Sequence, residues 1–297
     1  HPDLVDNMWV NPGEVANDGV DNDGNGYIDD VHGWDFHNND SDPDDDDGHG
    51  THTAGTVGAT GNNGEGIVGV NWDVQLMALK NMGPGGGFAS SSIAAVNYTT
   101  MMRQSYGVDI LVTNNSYGGG GYLQSFYEAI NANHASGQLF IGASGNSAMD
   151  NDLFPSYPDG YDVPNVISVL ATDHTDDLAG FSNYGAMTVD LGAPGVDILS
   201  SLPMTLGGPY GAASGTSMAA PHVAGAAALG WSVNPEATNI EVRDAILETV
   251  DPLAVLQGVT VTGGRLNVFR AVEALNIPGR RAGVAPVVED VQLDNLD

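Results

Sequence analysis

Three polar side chains stand in glycine-rich or small-residue segments where each could take part in nucleophilic catalysis. Ser217 lies in "ASGTSMAAPHVAGAAAL" (residues 213–229), between a Gly/Ser/Thr loop and a run of small residues. This setting predicts a hydroxyl exposed at a helix N-terminus, with room for a substrate backbone to approach. His49 in "DDGHGTHTAGTVGA" offers a base in a similar setting, and Asn146 in "LFIGASGNS" follows a strand, where its amide could donate to a developing oxyanion.

Each of these three residues also has an ordinary structural interpretation. A serine at a helix start commonly caps the helix, a histidine beside glycines commonly lies at the surface, and an asparagine after a strand commonly forms a turn. Their occurrence together in one chain is less expected by chance, and it favours catalysis over the three separate interpretations.

Alternating strands and helices are predicted to position these side chains. The Asp-rich residues 1–48 are expected to form loops and turns, and beyond them short apolar runs alternate with helical patterns. The predicted strands are "VQLMALKNM", "DILVTNNS", "QLFIGASGN" and "VISVLATD". The predicted helices are "HGTHTAGTVGA", "SSSIAAVNYTTMMRQSYG", "LQSFYEAINANHASG", a long one from Ser217, "IEVRDAILETV" and "GRLNVFRAVEAL". This order predicts right-handed crossovers and a mostly parallel sheet covered on both faces.

The amino-acid composition indicates which classes of partner the protein is not expected to bind. Lys plus Arg total 7 against 38 Asp plus Glu, which gives a formal net charge of −31. Such a charge repels phosphate backbones and anionic membrane surfaces, so neither nucleic acid nor a membrane is expected as a partner. Zero cysteines exclude disulfides and thiolate chemistry. The composition therefore predicts a secreted, extracellular protein whose stability comes from packing and ions.

The phrases around Ser217, His49 and Asn146 resemble those of the subtilisin-like serine proteases, the subtilases. The resemblance runs from His1 to about Leu275 and includes "ISVLATD" and "LAGFSNYGAMTVDLGAPGVDILS". It implies a three-layer α/β fold, with a mostly parallel central sheet flanked by helices. It also implies that Ser217 is the nucleophile, that His49 is the general base and then acid, and that Asn146 donates to the oxyanion beside the Ser217 backbone N–H.

The same resemblance implies the positions that bind substrate. Residues expected to pair with an extended peptide, or to line the pocket for the side chain before the scissile bond, are Ser116, Tyr117, Gly118, Ala143, Ser144 and Gly145. Main-chain pairing holds a peptide without reading its sequence, and small residues in the pocket leave room for a large apolar group. His52 and His222 belong to the same motifs and are expected to be structural.

The aspartate of the family's catalytic triad is expected to lie outside this chain. In subtilases it stands in a phrase of the type "DTGID" shortly before "HPDL", and this chain opens on "HPDL". The resemblance thus implies that the first strand of the fold is missing here and that the chain is weakly active or inactive. The run from Asp44 to Asp47 precedes His49, but an orienting carboxylate must face the far ring nitrogen, so these residues are expected to be ion ligands or solvated.

An Asp-rich loop, "DNDGNGYIDD" (residues 21–30), predicts a bound calcium ion. Its oxygen ligands fall at positions 1, 3, 5, 7 and 9 of a pattern that resembles the EF-hand loop, and they are Asp21, Asp23, Asn25, the Tyr27 carbonyl and Asp29. Position 12 is His32 instead of Glu, and the flanking helix pair is absent from the pattern. A calcium loop without the EF-hand fold is therefore predicted, with an ion-free Asp/Asn/Gly turn as the alternative.

Two further calcium sites are implied by the resemblance to subtilases. The expected ligands of one, in "WDFHNNDSDPDDDD", are Asp35, Asp40 and Asp42. A run this acidic is also typical of a solvated loop. The expected ligands of the other, in and around "GNNGEGIVGV", are Asp3, Asn63 and the carbonyls near Glu65 and Ile67.

The sequence as a whole predicts a secreted, calcium-stabilised serine endopeptidase that hydrolyses peptide bonds through an acyl-enzyme. Residues 1–277 are expected to form its catalytic domain and residues 278–297 an acidic linker or tail. Expected partners are polypeptide substrates and an N-terminal segment or propeptide of the parent protein. Two alternatives stay open: a non-catalytic, calcium-dependent binding module on a protease scaffold, and a truncated structural fragment.

Overall fold

The computed structural model describes residues 1–276 and, as backbone alone, residues 287–292. The helices are α1 (His49–Gly58), α2 (Ala89–Ser105), α3 (Gln124–Ala135), α4 (Thr216–Val233), α5 (Asn239–Glu248) and α6 (Val268–Leu275). The strands are β1 (Gly33–Asp35), β2 (Gln75–Lys80), β3 (Met82–Gly83), β4 (Gly86–Gly87), β5 (Ile110–Asn115), β6 (Leu139–Ala143), β7 (Val166–Thr172), β8 (Leu191–Pro194), β9 (Ile198–Ser201), β10 (Tyr210–Ala213), β11 (Asp251–Pro252), β12 (Gly264–Arg265) and β13 (Val287–Gln292). Across this part of the chain, no helix is long and apolar enough to cross a membrane.

A nine-stranded sheet forms the centre of the described structure, in the order β1-β2-β13-β5-β6-β7-β8-β12-β11. Its strands run parallel from β1 to β12, and β11 joins the far edge antiparallel. Because parallel strands end at a common edge, the residues that follow β5 and β6 come close together there. These are the segments that carry the predicted substrate-binding residues.

Helices cover both faces of this sheet, as the alternating pattern predicted. Leu76 and Ile141 pack into one core with Val57 of α1 and Ala224 of α4. Phe140 packs into a second core on the opposite face, which α2 and α3 cover. The predicted three-layer α/β architecture is confirmed. The polar N-terminal region is mainly loops and turns, interrupted by a short 3-10 turn at Val5–Asn7 and by β1.

The strand β13 falls within residues 278–297, for which the sequence predicted an acidic linker or tail. It lies between β2 and β5 and pairs in parallel with both of them. The edges of β2 and β5 that face this strand are thus both hydrogen-bonded. The remaining residues of the predicted tail lie outside the described part of the chain.

Candidate active site

The first turn of α4 holds Ser217 at the edge of the sheet. The Ser217 hydroxyl donates to the carbonyl of Ser116, directly after β5, at 3.1 Å. The Ser116 hydroxyl in turn donates to the Ser217 carbonyl at 2.8 Å. Residues of two different elements are therefore connected twice at this point, once through each serine hydroxyl.

Pro221 explains why the Ser217 carbonyl is open to this second contact. In an α-helix a carbonyl accepts from the N–H four residues later, and proline has no N–H. Pro221 stands four residues after Ser217 inside α4. The Ser116 hydroxyl takes the place of the missing helical donor, and it holds the start of α4 against the end of β5.

Asn146 is fixed beside the same helix turn. Its side-chain oxygen accepts from the backbone N–H of Thr216 at 2.9 Å and from the Thr216 hydroxyl at 3.0 Å. Gly215 precedes the helix, and a Cβ atom there would lie 3.5 Å from the Asn146 amide nitrogen. Because Thr216 occupies the oxygen, the amide N–H groups of Asn146 are the part that can donate to a substrate oxygen.

His49 begins α1, next to Gly48 in the left-handed region at φ 106°. Its Nδ1 atom is buried and has no hydrogen-bond partner among the described residues. Burial lowers the pKa of His49 to about 4, against the opposing effect of the Asp47 and Asp45 carboxylates and with a smaller lowering by His52. The imidazole is therefore neutral near pH 7, which is the form that can accept a proton.

The carboxylates just before His49 have other partners. The Asp45 carboxylate accepts from the Gly48 N–H at 2.7 Å, the Thr51 N–H at 2.9 Å and the Thr51 hydroxyl at 2.6 Å. It thus satisfies amides at the start of α1, and these hydrogen bonds outweigh its burial and lower its pKa. Asp46 forms an ion pair with Lys80 at 3.2 Å.

His52 and His222 hold backbone carbonyls, in agreement with the structural role expected for them. His52 Nε2 lies 2.9 Å from the Ile198 carbonyl, and His222 Nδ1 lies 2.9 Å from the Met218 carbonyl. Burial lowers the pKa of both rings. Both rings therefore stay neutral. His52 connects α1 to β9, and His222 makes a contact within α4.

The predicted peptide-binding edge begins at Ser116, Tyr117 and Gly118. Ser116 is buried, and the Tyr117 hydroxyl donates to the Asn115 side chain at 3.0 Å, which fixes the tyrosine under the edge. Gly118 faces the segment around Tyr157, whose carbonyl would lie 3.5 Å from a Cβ at this glycine. The edge is thus anchored through the Tyr117 side chain, and a Cβ at Gly118 would make only an ordinary contact with Tyr157.

The second predicted wall, Ala143 to Gly145, follows β6. Ala143 and Ser144 are buried, and the Ser144 hydroxyl donates to the Asn183 carbonyl at 3.2 Å. Gly145, at φ 109°, donates its N–H to the Thr216 hydroxyl at 3.1 Å. Both walls therefore join the first turn of α4, where Ser217 lies.

A buried polar network supports this wall, and sequence reasoning missed it. Asn151 donates to the Ser144 carbonyl at 2.9 Å and Asn183 donates to Asn151 at 3.0 Å. Beneath them, the Asp159 carboxylate accepts from the Ser168 hydroxyl at 2.8 Å. Burial raises the pKa of Asp159 to about 7, although the hydrogen bond from Ser168 opposes the rise. Asn183 lies in the quoted phrase "GFSNYG", whereas Asp159 and Asn151 had no local signal.

The predicted calcium loop brings two of its residues together with a third that the sequence analysis missed. Carboxylate oxygens of Glu14, Asp21 and Asp23 lie within 4.8 Å of one another. Glu14 also accepts from the N–H groups of Asn22 and Asp23, at 2.8 and 3.2 Å. A set of three carboxylates suits a hard cation such as calcium, which takes oxygen ligands. The six residues between Glu14 and Asp21 give no local signal for this contact.

The remaining predicted ligands of this loop have other contacts. Asn25 accepts from the Tyr27 N–H through its side-chain oxygen at 2.7 Å and donates to the buried Asp30 at 2.8 Å. Asp29 accepts from the backbone N–H groups of Asp18 and Gly19 at 3.1 and 3.0 Å. These contacts hold the loop together and differ from the EF-hand arrangement that the spacing resembled.

At the two other predicted calcium sites, the expected ligands form ion pairs or hydrogen bonds with other residues of the chain. In the second predicted site, the buried Asp35 carboxylate lies 3.2 Å from the Lys80 ammonium, which neutralises its charge. The Asp40 carboxylate of the same site accepts from the Asp42 N–H at 3.1 Å.

At the third site the Asn63 amide donates to Asp3 at 2.8 Å. Asp3 also accepts from the Ile67 N–H at 3.0 Å and the Tyr210 hydroxyl at 2.8 Å. These hydrogen bonds outweigh burial and lower the pKa of Asp3. The structure thus joins Asp3 and Asn63 by a hydrogen bond, and their role as calcium ligands stays a prediction.

Comparison with known proteins places this geometry in a family. The model of the subtilase family matches residues 1–272. Thermitase of Thermoactinomyces vulgaris is 37% identical over 82% of this chain and 81% of its own length, and subtilisin BL of Lederbergia lenta is 39% identical over 69% of this chain and 71% of its own. A thermophilic serine proteinase of Bacillus sp. (strain AK1) is 38% identical over 82% of this chain.

Solved structures agree with these sequence matches. A cold adapted subtilisin-like serine proteinase has a TM-score of 0.63 and 33% identity, covering 79% of this chain and 78% of its own. A protease from Pseudoalteromonas arctica PAMC 21717 has a TM-score of 0.68 and 30% identity, covering 76% of this chain and 70% of its own. The chain spans 56% of the Bacillus proteinase and 45% of a subtilisin-like protease 1 of Plasmodium vivax. On its sequence and on its fold, the chain belongs to the subtilase family.

Proposed function

We propose that this chain is the catalytic domain of a serine endopeptidase that hydrolyses polypeptides through an acyl-enzyme on Ser217. The observation that carries the proposal is the start of α4, where Ser217 is held between the two predicted substrate walls and beside the amide of Asn146. Membership of the subtilase family supports the same chemistry.

In the proposed mechanism, each of the three predicted catalytic residues performs one step. His49, neutral because it is buried, takes the proton of the Ser217 hydroxyl as the oxygen attacks the carbonyl carbon of the peptide. The Asn146 amide and the Ser217 backbone N–H stabilise the oxyanion, with the N-terminus of α4 adding a favourable dipole. His49 then gives its proton to the leaving amine, and water attacks the acyl-enzyme by the same route.

The substrate is held by its main chain. A peptide extended along Ser116, Tyr117 and Gly118 can pair with the backbone there. By the resemblance to subtilases, Ala143, Ser144 and Gly145 would line the pocket for the side chain that precedes the scissile bond. We infer a preference for unfolded or extended polypeptides, because only an extended segment can pair in this way.

The proposal has three further parts, which concern bound calcium, secretion and a partner segment of the parent protein. The cluster of Glu14, Asp21 and Asp23 would hold calcium and stabilise the N-terminal loops. The acidic, cysteine-free composition supports secretion to the extracellular space. The longer relatives support the inference that an N-terminal segment or propeptide of a parent protein is a partner.

The decisive experiment compares the protein with its Ser217→Ala variant on unfolded casein. The parent is expected to release peptides and to be modified on Ser217 by a sulfonyl fluoride, as read by peptide mass. Equal hydrolysis by both proteins, or modification elsewhere, would refute the proposal. Binding of casein without hydrolysis by either protein would instead support the alternative of a calcium-dependent binding module.

A further inference from the structure

A segment of four glycines, residues 118–121, continues the predicted peptide-binding edge from Tyr117 towards α3. Glycine has no side chain to pack, and it loses more conformational entropy on ordering than any other residue. Cβ atoms at Gly120 and Gly121 would meet no atom within 4 Å, and a cavity of about 50 Å³ adjoins both glycines. Packing of the four-glycine segment itself therefore contributes little to holding its conformation.

A backbone bridge connects the four-glycine segment to the chain around Tyr157. Gly120 forms an isolated antiparallel bridge with Tyr157, and Gly119 before it has φ 95°, in the left-handed region that favours glycine. The bridge sets the distance between the segment and Tyr157. Isolated strand pairings are marginally stable in water, so this bridge needs support from neighbouring side chains.

Aromatic side chains fix the residues on both sides of the four-glycine segment. Before it, the ring of Tyr117 stacks on Phe126 of α3 at 6.4 Å between ring centroids. After it, the hydroxyl of the buried Tyr161 accepts from the Leu123 N–H and donates to the Leu123 carbonyl, both at 3.0 Å. Tyr122 is the residue between the last glycine and Leu123.

Tyr122 contacts this aromatic cluster with its ring. The ring packs edge-to-face on Tyr157 and Tyr161, at 5.5 and 5.3 Å between centroids, which is within the range of favourable aromatic pairs. The Tyr122 hydroxyl donates to the exposed Gln124 side chain at 3.0 Å. Tyr157 is thus contacted twice, by the backbone of Gly120 and by the ring of Tyr122.

We propose that Tyr122 is a positioning residue for the peptide-binding edge: its ring, packed on Tyr157 and Tyr161, holds the four-glycine segment at the spacing that an extended substrate needs to pair beyond Tyr117. The inference rests on the proposed function, because it extends the edge that binds the peptide there. Tyr122 acts through the backbone of residues 118–121. Its ring reduces the freedom of that backbone before a substrate arrives, so that less entropy is lost on binding.

The first test measures the order of the segment and needs no catalysis. In a Ser217→Ala background, which prevents self-digestion, ¹⁵N relaxation reports the order parameters of the Gly119, Gly120 and Gly121 amides. With Tyr122 present they are expected near about 0.85, as in rigid backbone, and in Tyr122→Ala below about 0.6. Tyr122→Phe, which keeps the ring and removes the hydroxyl, is expected to retain the high values.

Phe269→Ala is the matched control, because it removes a ring that is 73% exposed on α6, outside this cluster. It is expected to leave the three order parameters unchanged, and the amides of α4 report that each variant is folded. Order parameters that stay high in Tyr122→Ala, or that are already low with Tyr122 present, would overturn the proposal. An equal loss in Tyr122→Phe would overturn it too, because it would assign the effect to the hydroxyl.

The second test measures hydrolysis by proteins that retain Ser217. One substrate is a peptide with about six residues before the scissile bond, long enough to run along residues 116–121, and the other is an ester of a single acylated amino acid. For the peptide, Tyr122→Ala is expected to raise KM by about 5- to 10-fold with little change in kcat, the signature of lost uniform binding. For the ester, which is too short to reach the segment, both constants are expected to stay within about twofold.

The kinetic outcomes distinguish failure of this proposal from failure of the proposed function. An unchanged KM for the peptide in Tyr122→Ala, together with loss of activity in Ser217→Ala, would overturn the role of Tyr122 and leave the proposed function standing. Equal losses on the peptide and the ester would also overturn it, because they indicate general damage to the site. Activity that survives Ser217→Ala would refute the proposed function itself.

Discussion

Asp159 is a buried acid directly beneath the wall that carries Ala143 and Ser144. A Cβ atom at Gly142 would lie 2.8 Å from the Asp159 Cβ, so the strand backbone packs onto this aspartate. Burial raises the pKa of Asp159 to about 7 from its ordinary value of 3.8. The folded protein therefore holds a proton that the unfolded chain releases at a much lower pH.

This proton links folding to pH. Since the pKa is raised in the folded state, the contribution of Asp159 to stability is fully present below about pH 4 and is lost as the pH rises to about 7. Relative to Asp159→Asn, the parent is expected to lose up to about 4 kcal/mol of unfolding free energy across this window. Urea unfolding at several pH values, in the Ser217→Ala background, measures it. A difference between the two proteins that does not change with pH would contradict the assignment.

At the scale of the element, α4 is a helix in which one backbone hydrogen bond, the one from residue 221 to the Ser217 carbonyl, is missing. Pro221 removes the donor for the Ser217 carbonyl, and Ser116 supplies a replacement from the end of β5. The alanines and glycines that follow let α4 lie against the sheet, since small side chains permit close approach. The position of Ser217, the proposed nucleophile, is thus set by a contact between two elements as well as by the helix itself.

A double-mutant cycle separates this contact from general packing. Ser116→Ala leaves the Ser217 carbonyl without its donor and is expected to cost about 1–2 kcal/mol of unfolding free energy. Pro221→Ala returns a backbone N–H, so the double variant should be more stable than the sum of the single changes by about 1 kcal/mol. Urea unfolding of the four proteins gives the coupling. Strict additivity would show that the two donors do not compete for this carbonyl.

The N-terminal loops depend on a different element, the carboxylate cluster of Glu14, Asp21 and Asp23. Without a cation these charges repel one another, so chelation should lower the thermal midpoint. At calcium concentrations about 100 times the dissociation constant, binding adds about 2.7 kcal/mol. Glu14→Gln is expected to abolish most of the response to chelator, and Glu236→Gln, an exposed glutamate outside the cluster, to keep it. The same midpoint with and without chelator in the parent would remove the calcium proposal.

At the scale of the whole molecule, the formal charge of −31 acts against compactness. Few cations are available to pair with the carboxylates, and Lys80 is committed to the buried Asp35 and to Asp46. The remaining repulsion is long-range, and dissolved salt screens it within about 10 Å at 0.1 M and about 3 Å at 1 M.

Salt should therefore stabilise this protein. With chelator present, so that calcium binding does not contribute, the thermal midpoint is expected to rise as sodium chloride increases from about 0.02 to 0.5 M. Tetramethylammonium chloride is the matched control, because a bulky monovalent cation screens charge but binds poorly to carboxylates. A midpoint that falls with both salts would show that favourable ion pairs outweigh the repulsion.

Much of the fold could be read from local patterns. The apolar runs and small-residue segments predicted β2, β5, β6 and β7 and the helices that cover them. Each of these elements has one or both faces buried, and a buried face leaves a pattern of apolar residues in the sequence. The shorter strands from β8 to β12 were not predicted. Segments of two to four residues are too short to show a period, and their pairing depends on partners that are distant in sequence.

The sequence by itself determined the family, and it predicted Ser217, His49 and Asn146 as catalytic residues, since these residues stand in continuous motifs whose small neighbours are needed for close approach. Only the tertiary structure decided which carboxylates serve which group. Glu14 joins Asp21 and Asp23, and Asp45 serves the amides of α1. A carboxylate acts on whatever lies within a few ångströms of it, and in a parallel sheet those neighbours come from strands far apart in the chain.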